Sequence, residues 1–297
     1  MISKLVAAGL AATLLALVGC TLTSGGLRKD GLIPPKLGSG SVVAPKRCVL
    51  RLMIAERPPG DSALGEAVWL AVDEQALDAD ARRVLQMNGL RIGRIAGDLP
   101  REVQEVLTAP PPKKIEPQTI VLPEGDHSLI DTGTAATPSL SLMLGQKDKV
   151  VGKVYEDARG FVRVTATFEG DDGVALRIAP ELHHGPLQQG WGVAAGGTAM
   201  TPGQIISKPG QKEEVFRDLA CTVVLKPGQV LVLGGRHDKR GSLGDFLFGS
   251  IGPDADRPSE KVVFIWAGRS GSDDSDAPIP PPGLLAIDPV ADAKPAK

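Results

Sequence analysis

The middle of the chain carries the stretch Gly160-Phe-Val-Arg-Val-Thr-Ala-Thr-Phe168, then Asp171-Asp-Gly173, then Val174-Ala-Leu-Arg-Ile-Ala179. Apolar and polar residues alternate in the first segment, which is typical of a strand with one buried face. The Asp-Gly step suits the tight turn of a hairpin. This stretch therefore predicts two antiparallel strands, and it sets the expectation for the rest of the chain.

Similar apolar segments lie on both sides of the hairpin. They predict strands over residues 119–122, 139–144, 214–225, 230–235 and 260–266. Lys226-Pro-Gly-Gln229 predicts a turn that joins two of them as a second hairpin, with Pro227 and Gly228 at the centre of a type II turn. Residues 115–268 are therefore predicted to form a mainly antiparallel β domain.

The preceding region, residues 47–108, mixes two periodicities. It predicts strands over 48–55, 67–72 and 90–95, a helix over 78–88 that Asp78 caps, and a short helix over 99–107. The Pro- and Lys-rich residues 109–114 predict a domain boundary. The fold class is therefore predicted to be α+β, with a small N-terminal α+β unit followed by the β domain.

The N-terminus has the parts of an export signal. One lysine, Lys4, precedes a short apolar run, which ends at Leu17-Val-Gly-Cys20. This ending resembles the lipobox of bacterial lipoproteins. The resemblance implies cleavage between Gly19 and Cys20, acylation of Cys20, and residence in the cell envelope, at the outer membrane facing the periplasm. The alternative is an ordinary signal, or an uncleaved anchor, with a chance cysteine.

The composition predicts the nature of the remaining segments and limits the classes of partner. Residues 1–19 are predicted to be the signal peptide, 20–46 a flexible tether, and 269–297 a disordered tail rich in Pro, Ser and Asp. A net charge of −2 and an aromatic content of 3% argue against a nucleic-acid partner. The expected partners are membrane lipid, through acylated Cys20, and protein, including further copies of the chain.

Two cysteines remain once Cys20 carries lipid. Cys48 and Cys221 both lie in apolar, strand-like segments. Even parity in an oxidising compartment is compatible with a Cys48–Cys221 disulfide. Two buried free thiols are the alternative.

Five segments of the β region occur in the order seen in the C-terminal domain of secretins, the outer-membrane pores of secretion and pilus systems. They are Leu176-Arg-Ile-Ala-Pro-Glu181, Val223-Val-Leu-Lys-Pro-Gly-Gln229, Leu231-Val-Leu-Gly-Gly235, Leu243-Gly-Asp-Phe-Leu-Phe-Gly249 and Lys261-Val-Val-Phe-Ile265. The region resembles a reduced secretin domain, which implies assembly through sheet pairing.

The same resemblance implies structural roles for a set of turn residues. Those residues are Pro227, Gly228, Gly234, Gly235, Gly244 and Asp245. The chain also departs from secretins in two respects. Secretins are much longer, and residues 185–212 lack the alternating apolar sequence of a lipid-facing hairpin. Pore activity is therefore not expected to carry over.

Two polar clusters are the candidates for chemistry. His183-His184 lies beside Glu181, but neighbouring residues of a strand face opposite sides, and a loop cap is the favoured interpretation. Arg236-His-Asp238 is interpreted as a solvated hairpin loop. No cofactor and no metal are expected.

The sequence thus favours a non-catalytic envelope module for protein assembly. One alternative is an envelope hydrolase or metal-dependent enzyme that uses His183, His184 or His237. The other is a lipoprotein that binds a small ligand, with Trp69 and Trp191 as its aromatic residues.

Overall fold

A computed structural model describes residues 46–108, 115–133, 136–146, 149–193, 205–236, 238–250 and 259–270. The strands are β1 Arg47–Arg57, β2 Leu90–Ile95, β3 Gln118–Pro123, β4 His127–Asp131, β5 Thr137–Gln146, β6 Lys149–Glu169, β7 Gly173–Val193, β8 Ile205–Val215, β9 Cys221–Leu225, β10 Val230–Gly235, β11 Gly249–Ser250 and β12 Ser259–Ser270. The helices are α1 Val68–Ala71, α2 Ala79–Met87, α3 Arg101–Leu107 and α4 Leu243–Phe248. The chain is therefore an α+β fold made mostly of antiparallel strands.

The strands form two sheets. The first sheet has the order β2-β10-β12-β1-β3, with β11 paired to β12. The second has the order β4-β6-β7-β8, with β5 paired to β6 and β9 paired to β7. All of these pairings are antiparallel.

The two sheets share one apolar core. Leu50 and Leu52 of β1 pack in the same cluster as Leu176 and Ile178 of β7. The opposite face of the first sheet packs against helices, where Val103 of α3 joins a second cluster. Alternation along β1 separates the two faces, because successive side chains of a strand point to opposite sides.

One arginine ties the β6–β7 turn to the first sheet. Arg269 of β12 donates hydrogen bonds to the carbonyl oxygens of Glu169, Gly170, Asp171 and Gly173, at 2.6–3.3 Å. The hairpin predicted at Asp171–Gly173 is present. The tail predicted from residue 269 begins too early, since β12 runs to Ser270.

The predicted strand over 67–72 is wrong. A π-helical turn over Ser62–Ala67 runs directly into α1. Asp61 caps this turn by accepting hydrogen bonds from the amides of Ala63 and Leu64. Leu64 and Val68 are both buried, which is the spacing of one helical face.

The predicted single strand over 214–225 is two strands. β8 and β9 both pair with the same edge of β7. The break falls opposite Pro180, which has no N–H to donate to the ladder. The chain turns there through the 3₁₀ helix Arg217–Leu219, and the Phe216 amide donates to the Pro180 carbonyl.

The turn over 226–229 does not close a hairpin. Gly228 has a φ of +80°, and the Gln229 amide donates to the Lys226 carbonyl at 3.0 Å, as in a type II turn. However, β9 belongs to the second sheet and β10 to the first. The turn therefore carries the chain from one sheet to the other.

The predicted boundary at 109–114 does not separate two domains. β1 and β2, which precede it, pair with β10 and β12, which follow it. The described residues all fall in one compact unit, Ala44–Lys297. Residues 109–114 themselves lie outside the described residues, as do the predicted signal, Cys20, the tether up to residue 45 and the tail beyond residue 270.

The segment 243–249, expected as a loop around Gly244 and Asp245, is helix α4. Ser242 caps it by accepting from the Asp245 amide, and the Asp245 carboxylate accepts from the Gly241 amide. The helix packs on the end of α2, where a Cβ at Gly244 would lie 1.9 Å from the Gly89 carbonyl oxygen. Only glycine permits this approach.

Asn88 links the same helix end to β5. Its side-chain amide donates to the Gly145 carbonyl and accepts from the Gly145 amide, both at 2.9 Å. Asn88 is 1% exposed, so the pair is shielded from water. The side chain thus takes the place of a neighbouring strand at the end of β5.

Cys48 and Cys221 are buried free thiols in the shared core. The alternative of two buried thiols therefore describes them, and the disulfide is not formed in the structure. Burial raises the pKa of Cys48 to about 11 and that of Cys221 to about 12.

None of the helices in the described part of the chain is both long and apolar enough to cross a bilayer.

We expect Gly244→Ala to destabilise the fold severely, because its methyl group would overlap the Gly89 carbonyl. Overpacking of this kind costs about 1–3 kcal/mol or more. Gly97→Ala is the matched control, since a Cβ there meets nothing within 4 Å. Urea unfolding followed by circular dichroism measures both, and equal stability of the two variants would contradict the packing described here.

We expect both core thiols to resist alkylation at pH 8 in the folded protein. Their raised pKa values leave little thiolate, and the folded core excludes the reagent. In denaturant without reductant, both cysteines should react, as mass mapping can show. Thiols that stay unreactive in denaturant until a reductant is added would instead reveal a disulfide.

Candidate functional site

The best-defined polar cluster lies across β6, β7 and β8. In the β6–β7 ladder, Phe161 pairs with Glu181, and Arg163 lies two residues further along the same face. In the β7–β8 ladder, His183 pairs with Glu213. Residues two apart on a strand share a face, so these side chains all project to one side of the second sheet.

Glu181 is the centre of the cluster. Its side chain is fully buried, and its two oxygens accept hydrogen bonds from Arg163, Nη2 at 2.9 Å and Nε at 2.5 Å. Burial alone would raise the pKa of this carboxyl, but hydrogen bonds from Arg163 and His183 outweigh burial and hold the pKa below its ordinary value. Glu181 is therefore a buried, ionised carboxylate.

His183 completes the buried part of the cluster. Its Nε2 lies 2.8 Å from Glu181 Oε1, and it must donate, because an ionised carboxylate only accepts. Its ring packs against Phe161, with 4.5 Å between the ring centres. Glu213 lies at the solvent edge, 3.5 Å from Arg163 Nη2.

His184 points to the opposite face of β7, as the sequence predicts for neighbouring residues. Its ring lies 5.0 Å from that of Tyr155, and Nε2 lies 3.7 Å from Glu214. Burial lowers the pKa of His184. His183 and His184 therefore do not form one site, and both are strand residues, so the predicted loop cap is wrong.

The second predicted cluster is an exposed ion pair. Arg236 donates to both oxygens of Asp238 at 2.8–2.9 Å. The hydrogen bond from Arg236 lowers the pKa of Asp238 to about 2, although the Asp238 side chain is 52% exposed. His237 lies outside the described residues, so this cluster is described only through its two charged ends.

Trp69 packs over the end of β10. A Cβ at Gly234 would lie 2.6 Å from the Trp69 ring, and one at Gly235 would lie 2.8 Å from the Gly244 carbonyl oxygen. The Arg91 guanidinium covers the indole at 4.1 Å. The side chain of Trp191, the other aromatic residue of the predicted ligand site, lies outside the described part of the structure.

Sequence analysis missed Arg163 and Glu213. The signal for Arg163 was present, because a tight turn over Asp171–Gly173 fixes the register that places Arg163 near Glu181. No comparable signal exists for Glu213, since β7 and β8 are joined by residues 194–204 rather than by a tight turn.

No protein family model matches the chain, and no curated protein matches it. Among solved structures, it is similar to a chain of the Klebsiella pneumoniae type II secretion system outer membrane complex, which comprises PulD, PulS and the PulC HR domain. The identity is 11% and the TM-score 0.24, over 78% of this chain and 41% of the other. The match thus spans less than half of that chain, and a TM-score this low does not establish a common fold.

We expect Glu181→Gln to cost about 3 kcal/mol of stability, because it removes the buried carboxylate and leaves the partly buried Arg163 charge only its long contact with Glu213. Asp238→Asn removes a carboxylate from an exposed pair and should cost less than about 1 kcal/mol. Denaturant unfolding of both variants measures the difference. A cost for Glu181→Gln no larger than that for Asp238→Asn would show that the cluster does not stabilise the fold.

Proposed function

We propose that the chain is a lipid-anchored envelope lipoprotein whose folded domain is a non-catalytic module for protein assembly. The anchor part of the proposal is supported by the sequence Leu17-Val-Gly-Cys20. The assembly part is supported by one surface of the second sheet.

That surface is the outward face of the ribbon formed by β5 and the first half of β6. Met143, Val150 and Val154 on this face are 57%, 61% and 65% exposed. The Met143 sulfur lies over Gly152, where a Cβ would be 3.7 Å away, so it fills the gap between the two valines. We call the surface formed by Met143, Val150, Gly152 and Val154 the outer ribbon face.

The opposite face of the ribbon explains why the outer one is exposed. Leu140, Leu142, Leu144 and Tyr155 are buried against the core. The ribbon is therefore apolar on both sides, although only one side is covered within the chain. Contiguous exposed apolar residues on a folded protein are typical of an interaction surface, and methionine adapts well to varied partners.

The edges of the sheets offer a second means of association. Among the described strands, β5 pairs only with β6, and β8 only with β7. On the β5 edge, the Met143 amide donates to the Gly241 carbonyl and Gly145 pairs with the Asn88 side chain, so two positions of that edge are occupied. Unpaired strand edges are templates for pairing with another chain.

The geometry of the histidines does not favour the hydrolase alternative. His183 and His184 lie on opposite faces of β7, and Glu181 is already hydrogen-bonded to Arg163. A hydrolytic site needs a nucleophile, a base and an orienting group within reach of one another.

A link to secretion rests on the resemblance of the sequence segments to secretins.

We expect Val154→Asp to disrupt assembly, because a carboxylate buried in an apolar contact would be unpaired. Full-length protein extracted in detergent from the cell envelope should sediment as a smaller species when it carries this variant. Its assembly should weaken by at least about tenfold, the equivalent of roughly 1.4 kcal/mol. Leu70→Asp is the matched control, since Leu70 is an exposed leucine on α1, away from the ribbon.

Wild-type protein that sediments as a monomer alone, or unchanged sedimentation of Val154→Asp, would refute the role of the outer ribbon face.

We expect Cys20→Ala to abolish lipid labelling and to release the protein from the membrane fraction, because no other residue there can carry the thioether-linked lipid. Thr23→Ala, three residues further on, should leave both properties intact. Unchanged membrane retention of Cys20→Ala would refute the anchor.

A further inference from the structure

We propose that Glu181, His183 and Glu213 form a binding site for Zn²⁺ that fastens β8 onto β7. The carboxylate oxygens and the imidazole nitrogen of these three residues all lie within 4.8 Å of one another. The proposal concerns a structural ion, and it does not depend on the proposed assembly function.

The ligand atoms all lie within 4.8 Å of one another, so a modest adjustment of the side chains brings them to the separations that a tetrahedral zinc ion requires. Bonds of about 2.0–2.2 Å place the ligand atoms of such an ion roughly 3.3–3.6 Å apart. His183 Nε2 and Glu181 Oε1 are 2.8 Å apart, so a small outward rotation of the imidazole makes room between them. The proton of the neutral imidazole then moves from Nε2 to Nδ1, and the ion takes its place between Nε2 and Glu181 Oε1.

The charges of the cluster leave room for a cation. Glu181 and Glu213 are two carboxylates, and Arg163 supplies one guanidinium. These three side chains therefore carry one net negative charge, which a bound cation would offset.

Arg163 is positioned to orient the Glu181 carboxylate as a metal ligand. Its Nε donates to Glu181 Oε2 and its Nη2 donates to Oε1, the oxygen that faces His183 Nε2. Ligating carboxylates in proteins are commonly held by such hydrogen bonds from outside the ligand set. The cation of Arg163 weakens the site for any ion, although its contact with Glu213 is long, at 3.5 Å.

The donor set selects the metal. One imidazole nitrogen and two carboxylates suit Zn²⁺, whereas Mg²⁺ and Ca²⁺ prefer an all-oxygen shell. Glu213 is 58% exposed, so solvent can reach the ion and fill the fourth position. Three ligands from the protein and one from water are common for zinc.

The position of the site in the sheet gives the ion its role. Glu181 and His183 belong to β7, whereas Glu213 belongs to β8 and pairs with His183. The β7–β8 register shifts just beyond, between His184 and Gln188. An ion here cross-links the two strands one position before the last regular pair, His184 with Lys212.

The test is a zinc titration of the full-length protein in detergent, followed by thermal unfolding and by competition with a chromophoric chelator. Zn²⁺ alone should raise Tm, because a ligand bound only by the folded state stabilises it. Mg²⁺ at the same concentration should not. Co²⁺ should give the visible absorption of a tetrahedral site.

Two variants and a matched control decide the assignment. Glu213→Gln, at an exposed position that should tolerate it, should weaken Zn²⁺ binding by at least about tenfold, and His183→Asn should do the same. His184→Asn, the neighbouring histidine on the opposite face beside Glu214, should bind as the wild type does. The absence of a Zn²⁺-dependent rise in Tm, its persistence in Glu213→Gln, an equal loss in His184→Asn, or an equal effect of Mg²⁺ would each overturn the site.

Discussion

The hydrogen bonds of Arg269 hold the two sheets together at the β6–β7 turn. Four carbonyl oxygens converge on its guanidinium, which also stacks on Phe168 at 4.6 Å. The turn carbonyls are thereby paired where the hairpin meets the first sheet, at a largely exposed position. Since β6 and β7 support every other strand of the second sheet, this contact with β12 adds a polar link to the apolar core that the two sheets share.

The sequence predicted those parts of the fold that local periodicity determines. The alternation over 160–168 and the Asp-Gly step after it located the hairpin, and Asp78 located the start of α2. The apolar run over 67–72 is too short to distinguish a strand from a buried helix. It predicts a strand, whereas the structure has helix α1 there. The partners of β10 were not predictable either, because they come from distant parts of the chain.

The candidate site follows the same division. The alternation of side chains along a strand correctly predicted that His183 and His184 face opposite sides. The register of the hairpin places Arg163 diagonally opposite Glu181, which allows their ion pair. Glu213 joins them only through the β7–β8 ladder, whose register depends on residues far from the hairpin. The pairing of β8 with β7 could not be predicted from the sequence. Without it, the sequence shows two adjacent histidines but not the cluster that spans three strands.

The amide of Asn88 has a further consequence for the ribbon of β5 and β6. Because the Asn88 amide donates to the carbonyl of Gly145 and accepts from its N–H, two buried hydrogen bonds hold the end of β5 in place. A surface that is ordered in the free protein loses little conformational entropy when it is bound, so more of its contact energy remains as affinity. In the proposed assembly, Asn88, more than fifty residues away in sequence, would therefore lower the entropic cost of binding at the outer ribbon face.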